Sequence, residues 1–128
     1  MKSTDYWPRA ASAAAVSETH FEQLRGAFYT RLRSDRARLA TLSAELVHAD
    51  EDVMPVFEEL RVLAHRMCGA AAIFEAPDVG DAANTLEQAL LTAINEHADG
   101  TDPGVWAALE ALVNLLAFTN RSSARGGR

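Results

Sequence analysis

Apolar residues recur at helical spacing along four segments of the chain, and no segment shows the sustained alternation that indicates a strand. Hydrophobic residues make up 48% of the 128 residues, which is enough for one buried core. This patterning predicts an all-α fold. The apolar stripe of the first segment consists of Phe21, Leu24, Phe28, Leu32, Leu39, Leu42 and Leu46.

Capping residues, prolines and glycines divide the chain into helices separated by short connections. Short connections make sequential helices antiparallel neighbours, so we expect an up-down-up-down four-helix bundle over residues 18–120. Residues 1–17 are predicted to form a flexible leader and residues 121–128 a flexible tail. The predicted helices run from Glu18 to His48, from the acidic turn Asp50–Asp52 to about Glu75, from near Asp78 to just before Gly100, and from the capping pair Asp102-Pro103 onward.

Composition excludes several classes of protein. The net charge of −6 argues against a general nucleic-acid binder. No apolar run approaches the ~20 residues of a membrane span, and the N-terminus does not resemble a signal peptide. The single cysteine, Cys68, excludes an internal disulfide and fits a reducing compartment, so we expect a cytoplasmic protein.

The second predicted helix carries the most informative surface. Its apolar arc is predicted to consist of Val56, Leu60, Leu63, Met67, Ala70 and Phe74, which places His65 on the opposite, solvent-facing side. Small residues follow His65 on that side, among them Gly69 and Ala72. A glycine within a helix costs about 1 kcal/mol relative to alanine. Because Gly69 points outward, we infer that another molecule must approach the backbone there.

An exposed imidazole can act as a nucleophile and accept a phosphoryl group. The chain has no phosphate-binding P-loop and no glycine-rich nucleotide loop. Arg61 and Arg66 are the nearest cations to His65 in the sequence. Any metal and acidic pocket needed for the transfer would therefore come from a partner.

Three other interpretations of these residues remain open. His65 can be an ordinary surface histidine on a helical adaptor without chemistry. A di-metal carboxylate bundle needs two Glu-x-x-His motifs, and the chain has one, from Glu45 to His48. His65 and Cys68 supply only half of a zinc site, which normally needs three or four protein ligands.

The segment Ala64–Ala71, which reads AHRMCGAA, resembles the A-H-x-L-K-G-S-A motif of histidine-containing phosphotransfer (HPt) domains. The resemblance continues through Phe74, Ala76 and the pair Leu86-Glu87, and it covers about residues 18–120. HPt domains are four-helix bundles that relay phosphoryl groups between the aspartates of receiver domains. They do not bind ATP, and they do not phosphorylate themselves.

The resemblance implies that His65 is the phosphoryl acceptor and donor of a phosphohistidine carrier in two-component signalling. Gly69 is then the position that admits the receiver, on a docking face that also includes Arg61, Arg66, Cys68 and Ala72. The implied partners are receiver domains of response regulators or a hybrid histidine kinase. The resemblance also implies that the chain is a monomer that binds no cofactor, and that the Mg²⁺ ion is bound by the receiver.

Two positions depart from the family pattern. Cys68 replaces the family lysine that helps to hold or screen the phosphoryl group, and the only lysine of the chain is Lys2. We expect Arg61, on the same helix face, to substitute for it. Glu75 stands where the family prefers glycine. The loss of the lysine keeps a second interpretation open, a degenerate module that docks a receiver without efficient transfer.

Overall fold

The computed structural model describes the backbone of residues 10–48 and 52–126 and the side chains of residues 18–48 and 52–119. These residues form four α-helices, and no described residue lies in a strand. The all-α prediction is therefore confirmed. The helices are α1 (Ala10–His48), α2 (Met54–Ile73), α3 (Pro77–Asn95) and α4 (Pro103–Gly126).

The four helices pack in a ring, in which α1 and α3 each contact both α2 and α4. This arrangement is the predicted four-helix bundle. The α2–α3 pair packs most closely and the α1–α2 pair least closely. The looser pair leaves an open groove between α1 and α2, beside the helix that carries His65.

Two helices extend further than predicted. Helix α1 begins at Ala10 instead of Glu18, because the alanine-rich segment before Glu18 has high helix propensity and contains no proline or glycine. Helix α1 also continues through Ser34 and Asp35 without a break. At the other end, α4 continues to Gly126 and so includes most of the predicted tail. Residues 1–9 and 127–128 of the predicted leader and tail lie outside the described residues.

The start signals of two helices are confirmed in part. The backbone N–H of Met54 donates a 3.0 Å hydrogen bond to Oδ1 of Asp52 at the start of α2. Asp50 and Glu51, also assigned to this turn, lie outside the described residues. Before α4, Oδ1 of Asp102 accepts a 3.1 Å hydrogen bond from the N–H of Val105, as expected of an N-cap.

Left-handed residues follow the ends of α2 and α3, so both helices stop earlier than predicted. Glu75 has φ 56° and His97 has φ 53°, and an L-residue in this region ends a helix at a cost. The family preference for glycine at the position of Glu75 thus has a conformational reason. The Glu75 turn is closed by hydrogen bonds to the carbonyls of Ala70 and Ala71.

The core consists mainly of leucines from all four helices, together with Phe57. The predicted stripe of α1 is buried from Phe28 to Leu46, whereas Phe21 and Leu24 are partly exposed near the end of the bundle. The buried face of α2 is turned further toward α3, its closest neighbour, than the predicted apolar arc. Val56, Ala70 and Phe74 are consequently only half-buried, and the buried residues of α2 are Phe57, Leu60, Leu63, Ala64, Met67 and Ala71.

Candidate functional site

His65 lies in the middle of α2 on the side opposite the core. Its side chain is 71% exposed, which confirms the predicted orientation. Buried residues on the other side of the same helix, such as Leu60 and Met67, fix α2 in the bundle. The imidazole is therefore presented to solvent from a rigid element.

Glu87 on α3 holds the imidazole of His65. Its Oε2 lies 2.9 Å from Nδ1 of His65, and the side chain of Glu87 is only 12% exposed. A carboxylate can only accept a hydrogen bond, so Nδ1 is the nitrogen that carries the proton. Nε2 then keeps its lone pair and is the nucleophilic nitrogen of a largely exposed ring.

Glu87 is not among the site residues predicted from the sequence. The residue appeared only as part of a Leu-Glu pair that resembles the family pattern. Whether it reaches His65 depends on the packing register of α3 against α2. No short-range pattern in the sequence specifies this register.

We call the small residues Gly69 and Ala72, which follow His65 on the outer side of α2, the pad. Gly69 and Ala72 are exposed, and a Cβ atom added to Gly69 would meet nothing within 4 Å. Nothing within the described part of the chain therefore requires glycine there. Cys68, which was placed on the docking face, is half-buried and packs against the core, because it lies on the side of α2 that faces α3.

The two cations nearest to His65 in the sequence lie in different surroundings. Arg61 is on the same face as His65, and its Nε lies 3.1 Å from Oε1 of Glu58. Arg66 is exposed, and it faces the groove between α1 and α2. The structure thus separates these two arginines, which the sequence analysis had placed together on the docking face.

We call the open groove between α1 and α2 the arginine groove. It has a volume of about 640 Å³, and a smaller apolar recess of about 180 Å³ adjoins it. Arg31, Asp35 and Arg66 line both spaces. The arginine groove is further lined by Arg38, Glu59 and Val62, among others.

Asp35 is the one buried charged residue among the described side chains, with 7% of its surface exposed. It occupies the position between Leu32 and Leu39 at which the periodicity of α1 calls for an apolar residue. Its Oδ1 lies 3.4 Å from Nε of Arg31. Burial raises the pKa of the Asp35 carboxyl, and the charges of Arg31 and Arg66 oppose this shift only in part.

The raised pKa predicts that ionised Asp35 lowers the stability of the fold. The folded state holds the Asp35 proton more tightly than the unfolded state, so the penalty is full above the folded pKa and disappears as the pH falls below the unfolded value. We expect Asp35→Asn to be at least as stable as the wild type at pH 7. The difference in unfolding free energy between the two proteins should become smaller near pH ~4. Urea denaturation at both pH values measures this difference.

The exposed acid Glu110 provides the control for this prediction. Glu110→Gln loses the same charge without a buried carboxylate, so the difference in its unfolding free energy should stay small at both pH values. A clear loss of stability in Asp35→Asn at pH 7 would mean that the ion pair with Arg31 outweighs the desolvation of Asp35.

The described residues contain neither a cluster of metal ligands nor a membrane-spanning helix. In that part of the chain, no three His, Cys, Asp or Glu side chains lie close enough together to hold a metal ion. Both metal-centre alternatives therefore lack a ligand set there. Over the same residues, no helix is sufficiently long and apolar to cross a membrane.

Comparison with known proteins places this geometry in a family. The family model described as "Hpt domain" matches residues 16–118, which include α2, α3, His65 and Glu87. Searches of curated proteins and of solved structures gave no match. The match extends over most of the chain and agrees with the bundle and with its exposed histidine. The chain therefore belongs to the Hpt domain family, whose members have a histidine phosphotransfer role in phosphorelays.

Proposed function

We propose that this protein relays a phosphoryl group between receiver-domain aspartates through Nε2 of His65. The observation that carries the proposal is the 2.9 Å contact between Nδ1 of His65 and the largely buried carboxylate of Glu87. This contact orients the ring and selects Nε2 as the nucleophile. It occurs in a chain of the Hpt family, at the histidine that the motif singles out.

In the forward step, the Nε2 lone pair attacks the phosphorus of an aspartyl phosphate on the receiver. The Nε2–P bond forms, the P–O bond to the aspartate breaks, and the aspartate leaves as a carboxylate. Nδ1 keeps its proton throughout, so the phosphorylated ring is positively charged. The Glu87 carboxylate stabilises this charge through its hydrogen bond. Attack by the aspartate of a second receiver reverses these bond changes and regenerates neutral His65.

The partner supplies what this chain lacks. We propose that response-regulator receivers or a hybrid kinase bring an acidic pocket that holds the Mg²⁺ ion, that this ion would neutralise the transferring group, and that the chain acts as a monomer. It is a carrier without ATP-dependent kinase activity. The free Cys68 fits a reducing compartment, so we place the relay in the cytoplasm.

We propose that the receiver docks over the pad formed by Gly69 and Ala72. Gly69→Ala should stabilise α2 by up to ~1 kcal/mol. The same change should slow transfer from a phosphorylated receiver about tenfold. The added methyl group would overpack the contact with the receiver, which typically costs ~1–3 kcal/mol. Thermal unfolding and single-turnover transfer rates measure the two effects.

Gly26 is the matched control, because a Cβ atom added there also meets nothing within 4 Å. Gly26→Ala should raise stability in the same way and leave the transfer rate unchanged. Equal transfer rates for Gly69→Ala and wild type would contradict docking over the pad.

The relay itself is tested by transfer from receivers. Receivers from the same organism are phosphorylated with a small labelled phosphodonor and mixed with this protein. We expect label on this chain that is labile in acid and stable in base, as a phosphohistidine should be. Peptide mapping should place it at His65 rather than at His20, His48 or His97.

The second candidate function is a docking module that binds a receiver without efficient transfer. It is favoured by the replacement of the family lysine with half-buried Cys68 and by the ion pair that engages Arg61 with Glu58. Receivers that bind the protein but leave no label would establish this alternative. In the relay, by contrast, we propose that Arg61 screens the phosphoryl charge in place of the lysine.

A further inference from the structure

The arginine groove contains two cations whose charge is not fully compensated. Arg38 is paired with Glu59 at 2.7 Å. Arg31 is paired with Asp35, whose Oδ1 lies 3.4 Å from its Nε, and the side chain of Arg31 is 59% exposed. Arg66 lies close enough to Asp35 to affect its pKa, yet it forms no hydrogen bond or ion pair with any described residue. Most N–H donors of Arg31 and Arg66 thus remain available to a ligand.

Asp35 explains why these two guanidinium groups lie together. Two cations close to each other repel, and a carboxylate between them reduces that repulsion. Asp35 interacts with both arginines, at the cost of a buried charge in the apolar stripe of α1. An apolar residue there would pack the core better but would leave Arg31 without its partner. Asp35 is therefore a positioning residue for the arginines.

The rest of the surface makes this cluster distinctive. The chain carries a net charge of −6, and no Lys or Arg lies between Met67 and Asn120, a stretch that includes all of α3. An acidic partner is therefore repelled by α3 and attracted by the α1–α2 side of His65. Arg66 directly follows His65 on α2, so a partner of domain size can contact both the arginine groove and the imidazole.

We propose that Arg31 and Arg66, positioned by Asp35, bind an acidic side chain of the receiver domain and so select which receivers reach His65. This inference rests on the proposed function, because it names the charged residues that recognise the receiver in the same transfer. The adjoining recess is lined by Phe28, Met67 and Ala70. This recess can accommodate an apolar side chain next to the acidic one. The receiver surface that fits therefore carries an acidic residue beside an apolar residue.

Charge reversal at Arg66 tests the proposal. Arg66→Glu should lower the second-order rate constant of transfer about tenfold to hundredfold at ~0.05 M ionic strength, the range that electrostatic steering covers. At ~0.5 M ionic strength most of the difference should disappear, because salt screens the exposed charges. Arg31→Gln should act in the same direction, and circular dichroism checks that both variants fold.

Arg33→Glu is the matched control, because it makes the same charge change on α1 at an exposed residue that does not line the arginine groove. Its transfer rate should stay within about twofold to threefold of the wild type. A receiver variant in which the contacting acid is replaced by arginine should restore transfer with Arg66→Glu. Equal rates for Arg66→Glu and Arg33→Glu at low salt would overturn the proposal and leave the relay intact.

Recognition by the arginine groove can still be tested if the relay itself fails. If the wild type accepts no label from any receiver, receiver affinity replaces the transfer rate as the measurement. Weaker binding of Arg66→Glu than of Arg33→Glu, with the difference reduced by salt, would still support recognition by the groove. Equal binding of both variants, or no binding by the wild type, would overturn it.

Discussion

A His65→Gln chain should fold normally and carry no phosphoryl group at all. Glutamine has no ring nitrogen with a nucleophilic lone pair, so the covalent step has no acceptor. The side chain is 71% exposed, and surface substitutions of this kind usually change stability by at most ~0.5 kcal/mol. Labelling by phosphorylated receivers, together with urea denaturation, measures both parts of this expectation.

His20→Gln is the matched control, because His20 is also an exposed histidine, on α1. It should take up label as the wild type does. Label that persists on His65→Gln would assign the phosphoryl group to another residue and contradict the proposed function. Binding of a receiver should survive in His65→Gln, because most of the docking surface remains.

Replacing Glu87 with alanine should slow transfer by about tenfold to hundredfold. A hydrogen bond to a charged group contributes ~1.5–3 kcal/mol, and each ~1.4 kcal/mol changes a rate about tenfold. The loss arises because the ring is no longer oriented and the positive charge of the phosphorylated imidazole is no longer stabilised. Glu87→Gln, which can still accept from Nδ1 but has no charge, should be intermediate. Rapid-quench measurements over a range of receiver concentrations give the rate constants.

The concentration dependence separates a positioning role from a docking role. The Glu87 side chain is only 12% exposed, so its loss should lower the maximal transfer rate and leave the half-saturating receiver concentration nearly unchanged. Glu110→Ala, which removes an exposed acid on α4, should change neither parameter. A normal maximal rate in Glu87→Ala would show that the ring needs no carboxylate partner.

The fold was largely predictable because its signals are local. Helical spacing, Asp102 at a cap and short connections are sufficient to predict four helices that pack as a bundle. The misplaced boundaries have local causes as well, such as the left-handed backbone of Glu75. The rotation of the buried face of α2 has no such local cause. It depends on how closely α3 packs against α2, and the sequence does not specify this packing distance.

The candidate site was predictable only where one helix contains it. His65 and Gly69 lie on one face of α2, so periodicity alone places them together. The side chains that contact His65 or line the neighbouring groove come from other helices, Glu87 from α3 and Asp35 from α1. Asp35 did leave a signal, because it interrupts the apolar stripe between Leu32 and Leu39. An interruption of this kind is also consistent with a break in the helix, so only the packing identifies Asp35 as a buried charge.

The place of His65 in the middle of α2 determines what kind of signal the protein can transmit. Its helix is fixed by core residues on the opposite side, among them Phe57 and Met67. In the proposed relay, a new bond at Nε2 would therefore form on a helix with no hinge among its described residues. Information would be stored as one covalent bond on an unchanged scaffold, and it would be read by a molecule that touches the imidazole itself.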